Sequence, residues 1–108
     1  MYKRQAPESL AEATRVAFPG LNGLLPGYGN QRPNDWGLGF ELRDHKRPHW
    51  TGSLSSPETF GHFGQSGTFL WVDPQAGAAC VALTDRDFDQ WAIDAWSPFT
   101  DGVLAELR

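Results

Sequence analysis

The residues best suited to chemistry lie between positions 60 and 68, where a histidine is surrounded by glycines. The segment reads Phe60-Gly61-His62-Phe63-Gly64-Gln65-Ser66-Gly67-Thr68. Glycine weakens a strand because it has no side chain to pack, and it is favoured where a ligand or another backbone comes close. The imidazole of His62 exchanges a proton near neutral pH, as general acid–base chemistry requires. The segment therefore indicates a ligand site on a strand, with a half-buried structural histidine as the alternative.

A serine in the same segment raises a second chemistry. Gly64-Gln65-Ser66-Gly67-Thr68 differs from a Gly-x-Ser-x-Gly nucleophile elbow only at its last position. The elbow also needs a strand-to-helix turn after the serine, and the residues that follow predict another strand instead. A complete hydrolase with Ser66 as its nucleophile stays open as an alternative.

Other reactive groups favour structural roles. His45 and His49 have the spacing that binds metal on a helix, but a proline lies between them, so no metal site is predicted. Cys80 is the only cysteine, and its apolar surroundings favour a small buried hydrophobe. Residues 46–50, Lys-Arg-Pro-His-Trp, are predicted to form a solvated loop that lines a cleft. The net charge of −4 argues against nucleic-acid binding, which needs a basic face.

The elements that must position these residues are a helix, a long loop, four strands and a second helix. Ser9 followed by Glu12 is a capping-box signature, and it predicts a helix that begins at Ser9 and ends before Pro19-Gly20. Residues 21–35 contain too many glycines and prolines for a helix or a central strand. Alternating or apolar runs predict strands at 36–43, 60–65, 68–72 and 78–84. The continuous apolar run of the last strand predicts burial on both faces.

The last 20 residues predict a helix that covers the sheet. Apolar residues recur at every fourth position and predict one buried stripe: Trp91, Ala95, Phe99, Val103 and Leu107. Pro98 predicts a kink, or a restart with Ser97 as the N-cap. The predicted fold class is α/β, an antiparallel sheet of about four strands with the C-terminal helix packed on it. Residues 1–108 are expected to form one unit, with helix and loop over 1–35 and sheet and helix over 36–108.

The order of these features resembles the family of serine β-lactamases, penicillin-binding proteins and related esterases, class C β-lactamases among them. His62-Phe63-Gly64 is similar to the third motif of that family, Lys-Thr-Gly or His-x-Gly, which lies on a strand lining the active site. Trp36-Gly37-Leu38-Gly39-Phe40 resembles the Gly-Leu-Gly-aromatic strand before the motif, and Asp94-Ala95-Trp96 resembles the Ala-Trp of the C-terminal helix. The resemblance covers residues 36–108 well and 9–35 loosely. It implies the C-terminal portion of a β-lactamase-like domain.

The resemblance also implies roles for five residues. His62 would face the cleft and serve the acid–base network, and the backbone N–H of Gln65 would form half of an oxyanion hole. Phe63, Gly64 and Trp50 would contact the substrate. Family members that act on β-lactams generally carry a hydroxyl residue where Phe63 stands, so the parent is expected to be an esterase or another hydrolase. The implied substrate is a small ester, amide or β-lactam, and no cofactor is implied.

The family's nucleophile is missing from this sequence. It lies in a Ser-x-x-Lys motif, in which the lysine activates the serine. No serine of the chain has Lys three positions later; the serines are Ser9, Ser53, Ser55, Ser56, Ser66 and Ser97. Tyr28-Gly29-Asn30 matches the Tyr-x-Asn motif, but it lies in a glycine-rich loop only 34 positions before His62, so we interpret it as chance. The chain alone is predicted to be inactive.

Two functions therefore stand side by side. As part of a serine hydrolase, the chain is expected to expose an apolar face and either to self-associate or to need a complementing N-terminal portion. As a non-catalytic ligand-binding or structural module that retains the sheet, it is expected to be a compact monomer. No membrane partner is predicted, because no run approaches the ~18 apolar residues of a span. The predicted location is cytoplasmic. The N-terminus lacks a signal peptide's apolar stretch, but in a fragment that absence carries no information about location.

Overall fold

The computed structural model describes residues 6–107, and a four-stranded antiparallel sheet forms its centre. In chain order the elements are α1 Pro7–Ala13, β1 Gly23–Leu25, β2 Gly29–Gln31, β3 Glu41–Leu42, β4 Phe60–Phe63, β5 Phe69–Asp73, β6 Ala78–Ala82 and α2 Gln90–Glu106. The central sheet has the order β3-β4-β5-β6, and β1 pairs with β2 in a separate hairpin. No helix within residues 6–107 is long and apolar enough to cross a membrane.

A tight turn joins β4 to β5 and brings the histidine segment to the end of a strand. The Gly67 N–H donates to the Gly64 carbonyl at 3.0 Å, and the Gly64 N–H donates to the Thr68 carbonyl at 2.9 Å. Gly67 has a φ of 82°, so it is the left-handed residue that closes a three-residue hairpin loop. His62 is thus the third residue of a four-residue strand, three positions before Gln65, the first residue of the turn.

The C-terminal helix packs on the sheet through an aromatic core. The Trp96 ring centroid lies 5.1 Å from that of Phe69 and 5.6 Å from that of Phe63. The Trp71 indole N–H donates to the Thr100 hydroxyl at 3.2 Å, which ties β5 to α2. The buried apolar core consists of Leu25, Trp50, Phe69, Trp71, Ala92, Trp96 and Leu104. The predicted fold class, an antiparallel sheet of four strands with the C-terminal helix on it, is confirmed.

The predicted stripe of α2 is wrong by one residue. Its buried residues are Ala92, Trp96, Thr100 and Leu104. Phe99 and Leu107, both assigned to the stripe, are 53% and 64% exposed. The sequence carries apolar residues on two adjacent helix faces, and the large Trp96 ring decides which one enters the core. The helix also continues through Pro98, so neither the restart nor the Ser97 cap exists.

The start of the chain differs from the prediction too. The N-cap of α1 is Ala6 with Pro7 at the first helical position, and Ser9 lies inside the helix without capping it. Proline is favoured at that position because its fixed φ suits the helix and its missing N–H needs no partner. The predicted loop at 21–35 contains the β1–β2 hairpin, in which Tyr28 donates its N–H to the Leu25 carbonyl at 2.9 Å.

Two strands differ from the prediction, one in its length and the other in its burial. Of residues 36–43, only Glu41–Leu42 joins the ladder, because the chain turns back at Gly37, whose N–H donates to the Phe40 carbonyl at 2.8 Å. The last strand is not buried on both faces. Its residues alternate: Ala78, Cys80 and Ala82 pack against the core, whereas Ala79 and Val81 on the other face are exposed. It is also the edge of the sheet within the described residues and pairs only with β5.

We expect Gly67→Ala to destabilise the protein more than Gly20→Ala. Both glycines have a φ near +85°, where a side chain costs about 1–2 kcal/mol. A Cβ on Gly67 would also overlap the Arg86 carbonyl oxygen, whereas a Cβ on Gly20 meets nothing. Overpacking of this kind adds roughly 1–3 kcal/mol. Urea unfolding of the two variants measures the difference, and equal losses of stability would contradict the close approach.

Candidate functional site

A cavity of about 240 Å³ lies at the end of β4. Its lining residues are Leu25, Pro26, Trp36, Glu41, His62, Phe63, Gly64, Gln65 and Phe88. Four of the five residues singled out in the sequence, 62–65, therefore line one pocket. Ligand pockets usually measure roughly 300–1,000 Å³, so this one suits a small acyl or aryl group.

His62 stands at the mouth of the pocket. Its side chain is exposed, and its ring lies edge-on to the Trp36 indole, with centroids 5.6 Å apart and planes at 79°. An edge-to-face aromatic contact contributes about 0.5–1.5 kcal/mol and holds the imidazole in place. Trp36 was predicted only as a strand residue. Its role was missed because the turn at 37–40, which carries it back over β4, leaves no clear pattern in the sequence.

Gln65 is the first residue of the turn and offers a backbone donor. Its carbonyl accepts the Phe88 N–H at 2.8 Å, which draws Phe88 against Phe63, with ring centroids 4.9 Å apart. Within residues 6–107 the N–H of Gln65 has no hydrogen-bond acceptor. A free, rigidly held N–H beside an apolar pocket is the group that stabilises an oxyanion. The arrangement can therefore receive a ligand oxygen.

Trp50 lies behind the pocket rather than on its wall. It has no exposed surface, and it packs against Phe63 and Phe69 with centroids 5.5 Å from each. The predicted direct contact with substrate does not fit this place. Lys46 and His49 are buried with it, so the predicted solvated loop at 46–50 is wrong. The reason is a carboxylate beneath the loop.

That carboxylate is Glu41, which accepts three buried hydrogen bonds. Its Oε2 accepts the Lys46 ammonium at 2.8 Å and the His49 Nε2–H at 2.7 Å. Its Oε1 accepts the Trp50 indole N–H at 2.8 Å. Sequence reasoning missed this cluster because Glu and Lys are almost never fully buried unless they pair. Only the tertiary structure shows that they do.

The protonation of the cluster follows from its donors. The Thr51 N–H donates to His49 Nδ1 at 3.2 Å and the Thr51 hydroxyl lies 2.8 Å from the same nitrogen, an arrangement that favours the neutral ring with its proton on Nε2. Burial lowers the pKa of His49 and favours the same form. Burial works to raise the pKa of Glu41, but the His49 hydrogen bond and the Lys46 charge outweigh it and hold the pKa below its usual value. The ammonium of Lys46, not an imidazolium, is the counter-charge.

The remaining candidates do not join the pocket. His45 lies on the surface while His49 is buried, and residues 6–107 contain no group of three His, Cys, Asp or Glu residues suited to a metal ion. The Ser66 hydroxyl is 3.1 Å from the Thr68 hydroxyl, which is not a base. Burial raises the pKa of the Cys80 thiol. Burial, with a smaller contribution from Glu41, also raises the pKa of Tyr28 to about 12, which suits a structural phenol.

The four-stranded sheet, the helix that covers it and the pocket at the His-x-Gly strand are those of a β-lactamase-like fold. The Beta-lactamase family model matches residues 2–97, so the chain belongs to the β-lactamase family. A solved β-lactamase (Mb2281c) from Mycobacterium bovis is 63% identical, with a TM-score of 0.91 over 94% of this chain. The chain spans 38% of the length of that structure. No curated protein matches it.

We expect stability to fall as the pH drops below about 6.5, the unfolded pKa of histidine. The folded pKa of His49 is lowered, so the unfolded chain binds more protons, and the free energy of unfolding decreases with acid. Glu41 and Asp73, whose pKa values are also lowered, add a second loss below about pH 4.5. Urea unfolding between pH 7.5 and 2.5 measures both phases.

The matched control for this pH dependence is His49→Gln. Glutamine can still donate to Glu41 but does not titrate, so the loss between pH 6.5 and 5 should disappear and the carboxylate phase should remain. An unchanged profile in the variant would assign the first phase to another group.

Proposed function

We propose that this chain forms the His-x-Gly wall of the acyl site in a β-lactamase-related serine hydrolase. The reaction is two-step. The serine oxygen attacks the carbonyl of an ester, amide or β-lactam, and the C–O or C–N bond breaks to give an acyl-enzyme and an alcohol or amine group. Water then hydrolyses the acyl-enzyme, which releases the carboxylic acid and restores the serine. The observation that carries the proposal is that His62, Gly64 and Gln65 line one pocket in a chain of this family, and that the Gln65 N–H has no acceptor within residues 6–107. The Gln65 N–H is proposed to bind the developing oxyanion, worth roughly 2.7–4 kcal/mol in other hydrolases.

His62 and Phe63 are proposed to contact different parts of the ligand. The exposed imidazole serves the acid–base network or the ligand's polar groups, while Phe63 and Phe88 receive its apolar part. No lysine or arginine is among the lining residues, and the one formal charge, Glu41, is negative. A ligand carboxylate would lose water beside it without a counter-charge. The M. bovis relative is described as a β-lactamase, but this pocket favours an uncharged ester.

We propose that the nucleophilic serine and its lysine come from a part of the hydrolase outside these 108 residues. None of the six serines is followed by Lys at the third position, and Ser66 hydrogen-bonds Thr68 rather than a base. The chain alone is then inactive, and residues 1–108 act as one unit of the larger site. The cytoplasmic location stays part of this proposal, and subcellular fractionation tests it.

We expect no covalent adduct when the folded chain is treated with a fluorophosphonate serine probe. Intact-mass analysis reports the adduct, tryptophan fluorescence confirms that the chain is folded, and an active serine hydrolase in the same reaction shows that the probe works. A stoichiometric adduct would overturn the proposal of an external nucleophile. In that case Ser66→Ala, which should abolish the adduct, would identify Ser66 as the nucleophile.

The exposed apolar side chains favour a chain whose apolar surface is covered by another polypeptide over a module that stands alone in water. Leu70 and Val81, directly opposite each other on β5 and β6, are both exposed, and Leu83 just beyond β6 is 83% exposed. Other exposed large apolar residues lie in the hairpin and along or just after α2: Leu24, Phe99 and Leu107. Soluble monomers seldom expose extended apolar patches. We propose self-association or a complementing N-terminal portion as the cover. The alternative, a non-catalytic binding or structural module, would have to keep these residues in water.

We expect the chain to sediment as a concentration-dependent oligomer and to bind a hydrophobic dye. Replacing exposed apolar residues, as in Val81→Lys with Leu83→Glu, should lower both signals because the patch loses apolar area. The control Leu38→Glu changes an exposed leucine in the turn between Trp36 and Glu41, and it should leave both signals unchanged. A compact monomer that binds no dye would favour the binding-module alternative.

A further inference from the structure

Behind the pocket lies a buried ion cluster for which the proposed function provides no role. Glu41 lines the pocket, yet only 2% of its surface is exposed. Its carboxylate accepts hydrogen bonds from Lys46, His49 and Trp50. All three donors lie within 46–50, in the loop between β3 and β4, so one side chain anchors the whole segment.

Stability is a weak explanation for such a cluster. Removing two charges from water is costly, and well-packed apolar replacements for buried ion pairs are often as stable. A buried network does restrict geometry, because each polar group must keep its partners. The role of the cluster therefore depends on which parts of the structure it holds in place.

Trp50 connects the cluster to β4, the strand that contains His62. Its N–H bond to Glu41 fixes the orientation of the indole. The Cη2 atom of the ring lies 3.0 Å from the position of a Cβ on Gly61, and the ring centroid lies 5.5 Å from that of Phe63. Gly61 and Phe63 flank His62, so the indole supports the strand on both sides of the histidine.

Glu41 also lies beside the opposite wall of the pocket. On β3 it pairs with Gly61 of β4, and on its other side it forms an isolated bridge with Trp36. The Trp36 ring in turn contacts His62. The backbone of Glu41 thus lies between Trp36 and β4, the two segments that form opposite walls of the pocket.

We propose that Glu41 is a positioning residue: by holding Trp50, it sets the place of the His62–Gln65 segment relative to Trp36. The inference rests on the proposed function, because it takes the pocket to be the acyl site. Glu41 acts through Trp50, since its carboxylate oxygens are already engaged by three donors.

The first test compares Trp50→Phe with the matched control Trp71→Phe. Both tryptophans are fully buried, and each donates its indole N–H to one side chain, Glu41 or Thr100. The readouts are the ¹H–¹⁵N shifts of the Gly64 and Gln65 amides and the affinity for ethyl hexanoate, an uncharged ester. Trp50→Phe should move both amides in the free chain and weaken binding about tenfold, as expected for losing a bond to a charged group. Trp71→Phe should leave the affinity within about twofold.

A second pair of variants covers the case in which Trp50→Phe does not fold. Glu41→Leu with Lys46→Met removes both charges and leaves the Trp50 N–H without an acceptor. Glu41→Gln with Lys46→Met also removes both charges but keeps an amide oxygen for that N–H. The double variant with Glu41→Leu should weaken ethyl hexanoate binding as Trp50→Phe does. The double variant with Glu41→Gln should bind ethyl hexanoate as the unaltered chain does. A merely structural cluster would give both pairs the same affinity.

The outcomes separate this inference from the function on which it rests. If ethyl hexanoate moves neither the Gly64 nor the Gln65 amide of the unaltered chain, the acyl site and the positioning role both fail. If the unaltered chain binds, but Trp50→Phe and Trp71→Phe weaken binding equally, only the positioning role is wrong. Binding that is weakened by Trp50→Phe alone, and restored in the glutamine pair, supports it.

Discussion

The structure depends on one buried carboxylate and the donors that neutralise it. Glu41 lies on a two-residue strand, which by itself could hold little in place, and it accepts hydrogen bonds from a lysine, a histidine and a tryptophan. Leaving such a charge unpaired in the interior would be strongly destabilising. The polar segment 46–50 must therefore fold inward, and it brings the Trp50 ring into the centre of the aromatic core.

The aromatic core connects this cluster to the helix and the pocket. Trp50, Phe63, Phe69 and Trp96 contact one another mostly edge to face, so a shift in one ring is felt by the others. Phe63 belongs both to this core and to the pocket wall. Because Phe63 packs against the core and also lines the pocket, the packing of the core fixes the shape of that pocket wall.

Much of the fold was predictable because turns and apolar runs are local signals. The strands at 60–65, 68–72 and 78–84 were found with errors only at their ends, since glycines and an Asp-Pro turn separate them. The helix face and the burial of the last strand were mispredicted because both depend on a neighbour. Periodicity shows which faces are apolar, but it does not show which one meets a partner.

The sequence by itself determined the family, the motif strand and the absence of a Ser-x-x-Lys motif, because these depend on residue order alone. It also identified residues 62–65, since glycines beside a histidine have few packing roles. Only the tertiary structure decided that Trp36 forms the opposite wall, that Trp50 lies in the core and that Glu41 is buried with Lys46 and His49. The physical reason is that a charge or an indole can face water or a partner, and contacts distant in sequence determine which.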